Sequence, residues 1–101
     1  MPKKLTVGIP VYNEDRYLLD TLRSLQAQTI KDVEFVIADN ASTDGSLQIA
    51  KNFVEKDNRF RLIEHSKNLG AIGNLACLLE ASAGTYFMFM GAHDLISPTP
   101  R

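Results

Sequence analysis

The chain has 101 residues, 45% of them hydrophobic, and a formal net charge of −1. This length suits one domain with a modest core, and the near-neutral charge argues against an electrostatic hold on nucleic acid or an anionic membrane. The single cysteine, Cys77, excludes an internal disulfide; we expect it to be a small buried residue in a reducing compartment. No apolar stretch approaches the roughly 20 residues of a membrane-spanning helix. We interpret residues 1–101 as one domain, a piece of a longer protein.

The first strand and helix are indicated by the opening quarter of the chain. Residues 5–9 are apolar and β-branched, and Pro10 ends this predicted strand. A helix is expected to begin at Asn13 or Glu14. Its buried face consists of three leucines at helical spacing: Leu18, Leu22 and Leu25.

The second strand and helix repeat this order. Residues 33–38 form a nearly continuous apolar run, interrupted by Glu34, which predicts a buried strand. Asp44 is placed to cap the next helix by accepting hydrogen bonds from its free amides. The apolar stripe of that helix is Leu47, Ala50 and Val54, with Ile49 and Phe53 beside it.

The last part of the chain predicts two strands around a third helix. Phe60–Glu64 alternates apolar and polar residues, which indicates a strand near the sheet edge, and residues 68–71 form a turn. Gly84 is expected to end the helix, and residues 86–90 form a fourth, fully apolar strand before a loop at 91–94. The predicted buried face of the helix is Ile72, Leu75, Ala76 and Leu79.

Strict alternation of strands and helices predicts an α/β fold. Strands that alternate with helices are parallel and joined by right-handed crossovers, which gives a three-layer, Rossmann-like open sheet with helices on both faces. We expect the strand order 3-2-1-4. Ligands bind beyond the carboxyl ends of the strands at the point where the order reverses, so the loops at 10–14, 39–44 and 91–94 should meet there.

Three residues in the first two loops have side chains suited to a nucleotide. Tyr12 offers a flat ring to a base, although packing against the first helix is about equally expected. Glu14 suits a ribose hydroxyl or the first turn of the helix. Asp39 can accept the imide hydrogen of uracil or a ribose hydroxyl, or can shape its own loop.

The remaining candidates come from the later loops. Lys67 and Asn68 precede the third helix, where they can meet a diphosphate or form a solvated turn. Asp94 suits a divalent cation that bridges two phosphates, and adjacent His93 alone does not make a metal site. Of the other polar residues, Asn40 and Ser42 are expected to shape their loop, and His65, on the far strand, is expected to be a surface or structural residue.

These motifs together resemble the amino-terminal, nucleotide-binding half of the family 2 inverting glycosyltransferases, which have the GT-A fold. Residues 10–14, Pro-Val-Tyr-Asn-Glu, are similar to the loop that follows the family's first strand. Residues 39–46 match its Asp-Asp/Asn-x-Ser-x-Asp-Gly loop. Residues 67–70, Asn74 and residues 83–86 resemble the segment that leads to the metal motif. Four motifs in the right order and spacing make the match specific over nearly the whole chain.

The resemblance implies a nucleotide-diphospho-sugar donor, most simply a UDP-sugar, and transfer of its sugar with inversion to an acceptor hydroxyl, as in polysaccharide assembly. It also implies a divalent cation, Mn²⁺ or Mg²⁺, held by Asp94. Gly91 and His93 depart from the family's acidic motif, so cation binding could be weakened or altered. The donor-binding residues implied are Pro10, Val11, Tyr12, Glu14, Asp39, Lys67, Asn68, Ala92 and His93.

The chain contains no residue that we would name as the catalytic base. We therefore expect this segment to hold a donor without turning it over, within a full-length enzyme that is cytoplasmic or joins a membrane through a later segment. An uncovered fourth strand predicts homo-association. The alternative is a degenerate, non-catalytic binding or interaction module, which the Gly91 and His93 substitutions favour. A nucleotidyltransferase would need a Gly-rich, basic loop after the first strand, and residues 10–14 do not provide one. A receiver domain would need an acidic cluster at the end of the first strand, and this cluster is also missing.

Overall fold

A computed structural model, which describes residues 4–91, shows strands and helices in strict alternation. The strands are β1 (Leu5–Val11), β2 (Val33–Asp39), β3 (Phe60–Glu64) and β4 (Tyr86–Phe89). The helices are α1 (Asp15–Gln26), α2 (Ser46–Lys56) and α3 (Gly70–Ala81). Within the described residues, no helix combines the length and the apolar character needed to cross a membrane.

All four strands are parallel and lie in the order β3-β2-β1-β4, which confirms the predicted topology. Helices α1 and α2 cover one face of the sheet and α3 covers the other, so the three-layer prediction is also confirmed. The strand order reverses between β1 and β4. The carboxyl ends of β1 and β2 therefore lie where an open α/β sheet binds ligands.

Strand β1 continues through Pro10 to Val11, so the prediction that Pro10 ends it was wrong. The Gly8 carbonyl accepts a hydrogen bond from Met90 N, so Gly8 faces β4. Because alternate residues of a strand face the same neighbour, Pro10 also faces the β4 side. Strand β4 pairs with β1 only as far as Gly8, so the missing N–H of proline costs no ladder hydrogen bond.

The larger core lies between the sheet and α1 and α2. The three predicted leucines of α1 (Leu18, Leu22 and Leu25) are fully buried and pack with odd-numbered side chains of β1 and β2. In α2 the buried residues are Ser46, Ala50 and Phe53, while Leu47 and Val54 are only half-buried. The apolar members of this core include Val7, Ile9, Val11, Leu18, Leu22, Leu25, Phe35, Ile37, Phe53 and Phe60.

Helix α3 buries a different face from the one we predicted. Its buried residues are Asn74 and Leu78, whereas Ile72 is 85% exposed and Leu79 is 54% exposed. The helix is apolar on nearly every side, so hydrophobic spacing does not select one face. Cys77 is half-buried, and not buried as expected.

Helix α3 also ends earlier than predicted, at Ala81, with Ser82 as its C-cap. Gly84 lies after the helix and has another role. Its N–H donates to Thr6 Oγ1 at 2.8 Å, and a Cβ at this position would lie 2.6 Å from Thr6 N. Glycine is required there because two backbone segments approach each other closely.

Strand β4 is an edge strand among the strands that the structure describes, and it pairs with β1. Its side chains Tyr86, Met88 and Phe89 are 64%, 47% and 42% exposed. An uncovered apolar edge favours association, so the expected homo-association stays a prediction.

Glu34, which interrupts the apolar run of β2, is buried in a polar network. Its Oε2 accepts hydrogen bonds from Thr6 Oγ1 and Ala83 N, each at 2.7 Å, and its Oε1 accepts from Arg61 at 3.1 Å. Burial raises the pKa of Glu34, but these donors together outweigh it and lower the pKa below its usual value. The network fixes the segment between α3 and β4 to the amino-terminal ends of β1 and β2.

We expect the Glu34 network to make stability fall in acid. A carboxyl whose pKa is lowered by folding stabilises the protein above its unfolded pKa, and this stabilisation is lost as pH falls through the folded pKa. The variant Glu34→Gln should cost about 1–3 kcal/mol at pH 7, because the amide cannot accept from all three donors.

Urea denaturation between pH 7 and pH 3 measures this effect. The unfolding free energy of Glu34→Gln should approach that of the wild type as pH falls, because the wild type loses the same interaction. A free-energy difference that stays constant across this pH range would contradict the assignment.

Candidate functional site

A cavity of about 290 Å³ lies between the carboxyl ends of β1 and β2 and the first turns of α3. It is lined by Pro10, Val11, Tyr12, Glu14, Asn40, Asn68, Ala71, Asn74 and Leu75. Five of these nine were named from the sequence. The loop at the end of β1 thus meets the start of α3 at this cavity.

Tyr12 and Glu14 come from the loop that connects β1 to α1. Tyr12 is 46% exposed, so its ring lies at the mouth of the cavity. Asn13 between them has φ 52°, a left-handed conformation that asparagine tolerates better than most residues. This backbone geometry turns the chain out of β1 and into α1 within three residues.

Asp39, at the end of β2, is 1% exposed and does not itself line the cavity, although adjacent Asn40 does. Its Oδ2 accepts a hydrogen bond from Ser42 N at 3.1 Å, which is the loop-shaping role weighed from the sequence. Its Oδ1 is buried and has no hydrogen-bond partner among the described residues. An unpaired buried acceptor costs about 1–3 kcal/mol, which a ligand N–H or O–H could recover.

The loops after β1 and β2 cap each other's helices. Asp15 N donates to Asp44 Oδ2 at 3.1 Å, and Gly45 N donates to Asp15 Oδ2 at 3.1 Å. Glu14 N donates to Ser46 Oγ at 2.8 Å. The amides at the start of α1 are therefore paired by Asp44 and Ser46, and Asp15 of α1 pairs the amide of Gly45, the residue that precedes α2. We call Asn13–Asp15 with Ser42–Ser46 the paired loops.

Asp44 caps α2, as predicted, and also reaches α1. Its Oδ1 accepts from Ser46 N at 2.9 Å, while Oδ2 accepts from Asp15. Burial raises the pKa of Asp44, but the hydrogen bonds from Ser46 and Asp15 outweigh it and lower the pKa. Its contacts thus lie within the paired loops, and not on the cavity.

Asn40 joins the end of β2 to the start of α3. It is 3% exposed, its Nδ2 donates to Asn68 Oδ1 and Gly70 O, and its Oδ1 accepts from Leu69 N at 2.8 Å. The predicted loop-shaping role is confirmed. The sequence did not indicate that the same side chain also lines the cavity.

Of the two predicted neighbours, Asn68 lines the cavity, whereas Lys67 is exposed and does not line it. Ala92, His93 and Asp94 lie outside the described residues. Among residues 4–91, no three His, Cys, Asp or Glu side chains form a group that could hold a metal ion. The described residues thus do not by themselves fit the predicted divalent cation.

Sequence reasoning did not name Ala71, Asn74 and Leu75 as cavity residues. Of these, Asn74 carries a signal that could have been used. It is a polar side chain within the strongly apolar helix α3, and it is 2% exposed. A buried asparagine needs several hydrogen-bond partners, so its position indicates a specific structural role.

Comparison with known proteins gives consistent matches. Residues 6–100 match the family model described as Glycosyl transferase family 2. The putative glycosyltransferase EpsH of Bacillus subtilis is 35% identical over 91 residues, which are 89% of this chain and 26% of EpsH. The glycosyltransferase GlyA of Streptococcus pneumoniae is 39% identical over 93 residues, which are 92% of this chain and 13% of GlyA. The chain thus spans only about a quarter of the length of EpsH and about an eighth of the length of GlyA.

Solved structures agree with the sequence matches. Staphylococcus aureus TarS 1–349 in complex with UDP-GlcNAc is 28% identical with a TM-score of 0.81, over 91% of this chain and 27% of that one. The mannosyltransferase PcManGT of Pyrobaculum calidifontis, in complex with GDP-Man and Mn²⁺, is 25% identical with a TM-score of 0.83. That match covers 94% of this chain and 30% of PcManGT. Both neighbours support the GT-A architecture.

Proposed function

The chain belongs to glycosyl transferase family 2, and from this premise we propose that it is the donor-binding segment of an inverting transferase. The donor is a nucleotide-diphospho-sugar, and the acceptor is a hydroxyl group. The observation that carries the proposal is the cavity at the carboxyl ends of β1 and β2, where Tyr12, Glu14 and Asn68 meet. The complexes of TarS with UDP-GlcNAc and of PcManGT with GDP-Man support a nucleotide-sugar.

The nucleoside is assigned to Tyr12 and Asp39. The Tyr12 ring at the cavity mouth stacks on the base. Asp39 Oδ1, buried without a partner among the described residues, accepts the imide N–H of uracil after a small movement of the loop above it. Thymine and guanine carry the same kind of N–H, whereas adenine and cytosine do not. Glu14 accepts from the ribose.

The diphosphate is assigned to the start of α3. Asn68 lines the cavity, and the amide end of the helix attracts negative charge. Lys67, which is exposed, reaches the phosphates by a change of side-chain conformation. Ala92 and His93 are proposed to contact the donor from the loop after β4, and a divalent cation would be held there by Asp94.

The remaining steps are assigned to the part of the protein beyond residues 1–101. Inverting transfer needs a base that deprotonates the acceptor hydroxyl as it attacks the anomeric carbon in line. The carboxylate that lines the cavity, that of Glu14, is assigned here to the ribose, so we name no described residue as this base. We propose that residues 1–101 form one donor-binding unit that is inactive alone. The full-length enzyme is proposed to be a cytoplasmic hexosyltransferase of polysaccharide biosynthesis, associated with a membrane through another segment.

A degenerate, non-catalytic binding module is the second candidate, and Gly91 is the observation that favours it. Glycine stands there at the first acidic position of the family's metal motif, with His93 two residues later. Such a module would bind a nucleotide with no dependence on a divalent cation. Measuring nucleotide binding with and without Mn²⁺, as described next, therefore separates the two candidates.

We expect UDP with Mn²⁺ to raise the melting temperature of the 101-residue chain. At a ligand concentration ten times Kd, the stabilisation of about 1.4 kcal/mol corresponds to a shift of about 5–10 °C. Differential scanning fluorimetry with UDP, dTDP and GDP, each with and without Mn²⁺, measures it. ADP is the matched control, because it keeps the diphosphate and lacks the imide N–H. Equal shifts with ADP and UDP would contradict the base assignment, and no shift with any nucleotide would contradict donor binding.

A further inference from the structure

Asn74 forms part of the cavity wall and has both of its amide atoms engaged. Its Nδ2 lies 3.0 Å from the carbonyl oxygen of Ala38 in β2, and its Oδ1 lies 2.9 Å from His65 Nε2. A carbonyl oxygen only accepts, so the Asn74 atom that faces Ala38 must be the NH₂ group. The Asn74 oxygen consequently faces the imidazole ring.

This orientation determines the proton on His65. The Asn74 oxygen only accepts, so His65 Nε2 must carry a hydrogen. The backbone of His65 is fixed as well, because its N–H donates to the carbonyl oxygen of Asp39 at 3.0 Å. His65 therefore connects the end of β2, where Asp39 lies, to the second turn of α3.

We propose that His65 is a positioning residue for nucleotide binding, acting by holding Asn74 in the cavity wall. The proposal rests on the donor-binding function proposed above. Without the His65 donor, the Asn74 oxygen loses its partner within a nearly fully buried site. The side chain then turns towards the cavity, where water or the ligand can pair with it. The cavity changes shape where the nucleotide would lie.

Two substitutions separate positioning from general stability. His65→Ala removes the donor, and we expect the Kd for UDP to rise about tenfold, the usual effect of one hydrogen bond. His65→Gln places an amide N–H near the position of Nε2 and should recover most of the affinity. Glu34→Gln is the control, because it weakens a network at the opposite ends of the strands and should leave Kd unchanged.

The measurements are isothermal titration calorimetry with UDP and ¹⁵N NMR, both at a temperature where every variant is folded. The NMR spectra should show His65 with its hydrogen on Nε2 and slow exchange of the Asn74 side-chain amide. Exchange should become fast in His65→Ala and remain slow in His65→Gln.

Two results would overturn the inference while leaving the proposed function intact. One is an unchanged Kd for UDP in His65→Ala, and the other is an unchanged Asn74 amide exchange rate. Failure of the wild-type chain to bind any of the nucleotides would instead overturn the proposed function, and with it the ligand role of His65.

Discussion

Replacing Asp39 by asparagine should weaken UDP binding by about 100-fold or more, because a site built around a hydrogen bond strongly rejects a mismatched partner. Asp39 Oδ1 is the one buried side-chain oxygen or nitrogen without a partner among residues 4–91. In Asp39→Asn, the side-chain oxygen can keep the bond to Ser42 N, which places an NH₂ group where the imide N–H of uracil would donate. Calorimetric titration with UDP measures the loss.

The melting temperature of unliganded Asp39→Asn should stay close to that of the wild type, because the substitution exchanges one unpaired buried polar group, Oδ1, for another, the NH₂ group. Asp44→Asn is the matched control. Asparagine cannot accept from both Ser46 N and Asp15 N, so we expect a loss of about 1–2 kcal/mol in unfolding free energy, typical of a lost helix cap. Its Kd for UDP should stay near that of the wild type. Normal affinity in Asp39→Asn, or lost affinity in folded Asp44→Asn, would reverse the two assignments.

Removal of the Arg59 side chain should lower the unfolding free energy by about 2–4 kcal/mol, because it deletes one partner of a partly buried ion pair and the donor of several hydrogen bonds. Arg59 pairs with Asp57 at 2.8 Å, and both side chains are less than one-fifth exposed. Its guanidinium also donates to three carbonyl oxygens at and after the end of α1, those of Gln26, Gln28 and Ile30. Arg59→Ala would leave the three carbonyl oxygens without this donor, and Asp57 would keep only the hydrogen bond from the backbone N–H of residue 59.

Urea denaturation of Arg59→Ala tests this, with Arg59→Lys and Arg23→Ala beside it. Lysine keeps the charge but cannot reproduce the planar set of donors, so an intermediate loss is expected. Arg23 is exposed on α1, and its removal should cost less than about 1 kcal/mol. A loss in Arg59→Ala no larger than that in Arg23→Ala would contradict the structural role of Arg59.

The pH dependence of Arg59→Ala gives an independent check. The hydrogen bond from Arg59 opposes the effect of burial and lowers the pKa of Asp57. The stabilisation from this carboxylate is therefore complete above its unfolded pKa and is lost as pH falls through the folded pKa. In Arg59→Ala, the part of the acid sensitivity that belongs to Asp57 should become smaller, with only the backbone hydrogen bond from residue 59 remaining.

The strand order was predictable because the physical rules for it are local and strong. Apolar runs that alternate with amphipathic helices leave few arrangements of a parallel sheet, and the loops at the carboxyl ends of β1 and β2 then have to be neighbours. Tyr12 and Glu14 were identified for that reason, whereas Asn68 was named because it precedes the third helix. The positions of Tyr12 and Glu14 follow from topology and do not require knowledge of individual contacts.

The face of α3 was not predictable by the same rules. Leucine, isoleucine and alanine occur around most of the helix, so burial of one stripe is little better than burial of another. Hydrogen bonds decide the rotation instead, since Asn74 must reach Ala38 and His65. These partners are 36 and 9 residues away in the chain, and the periodicity of hydrophobic residues does not predict such contacts.

The contacts of Asn40 and Arg59 were missed for a related reason. Each side chain pairs with backbone groups that lie about 30 residues away. Such pairs form only after the strands have been placed side by side. A residue's type shows that it can donate or accept, but its partner is fixed by the tertiary arrangement.

The hydrogen bonds between the paired loops restrict how the chain moves at the carboxyl ends of β1 and β2. Since each helix start supplies an acceptor to the other, neither first turn can fray without leaving the other's amides unpaired. The two β–α units should therefore open and close as one cooperative block, and local unfolding should not be confined to either loop. If the cavity adjusts to ligands of different size, the movement should then occur mainly at the start of α3, which forms the other side of the cavity.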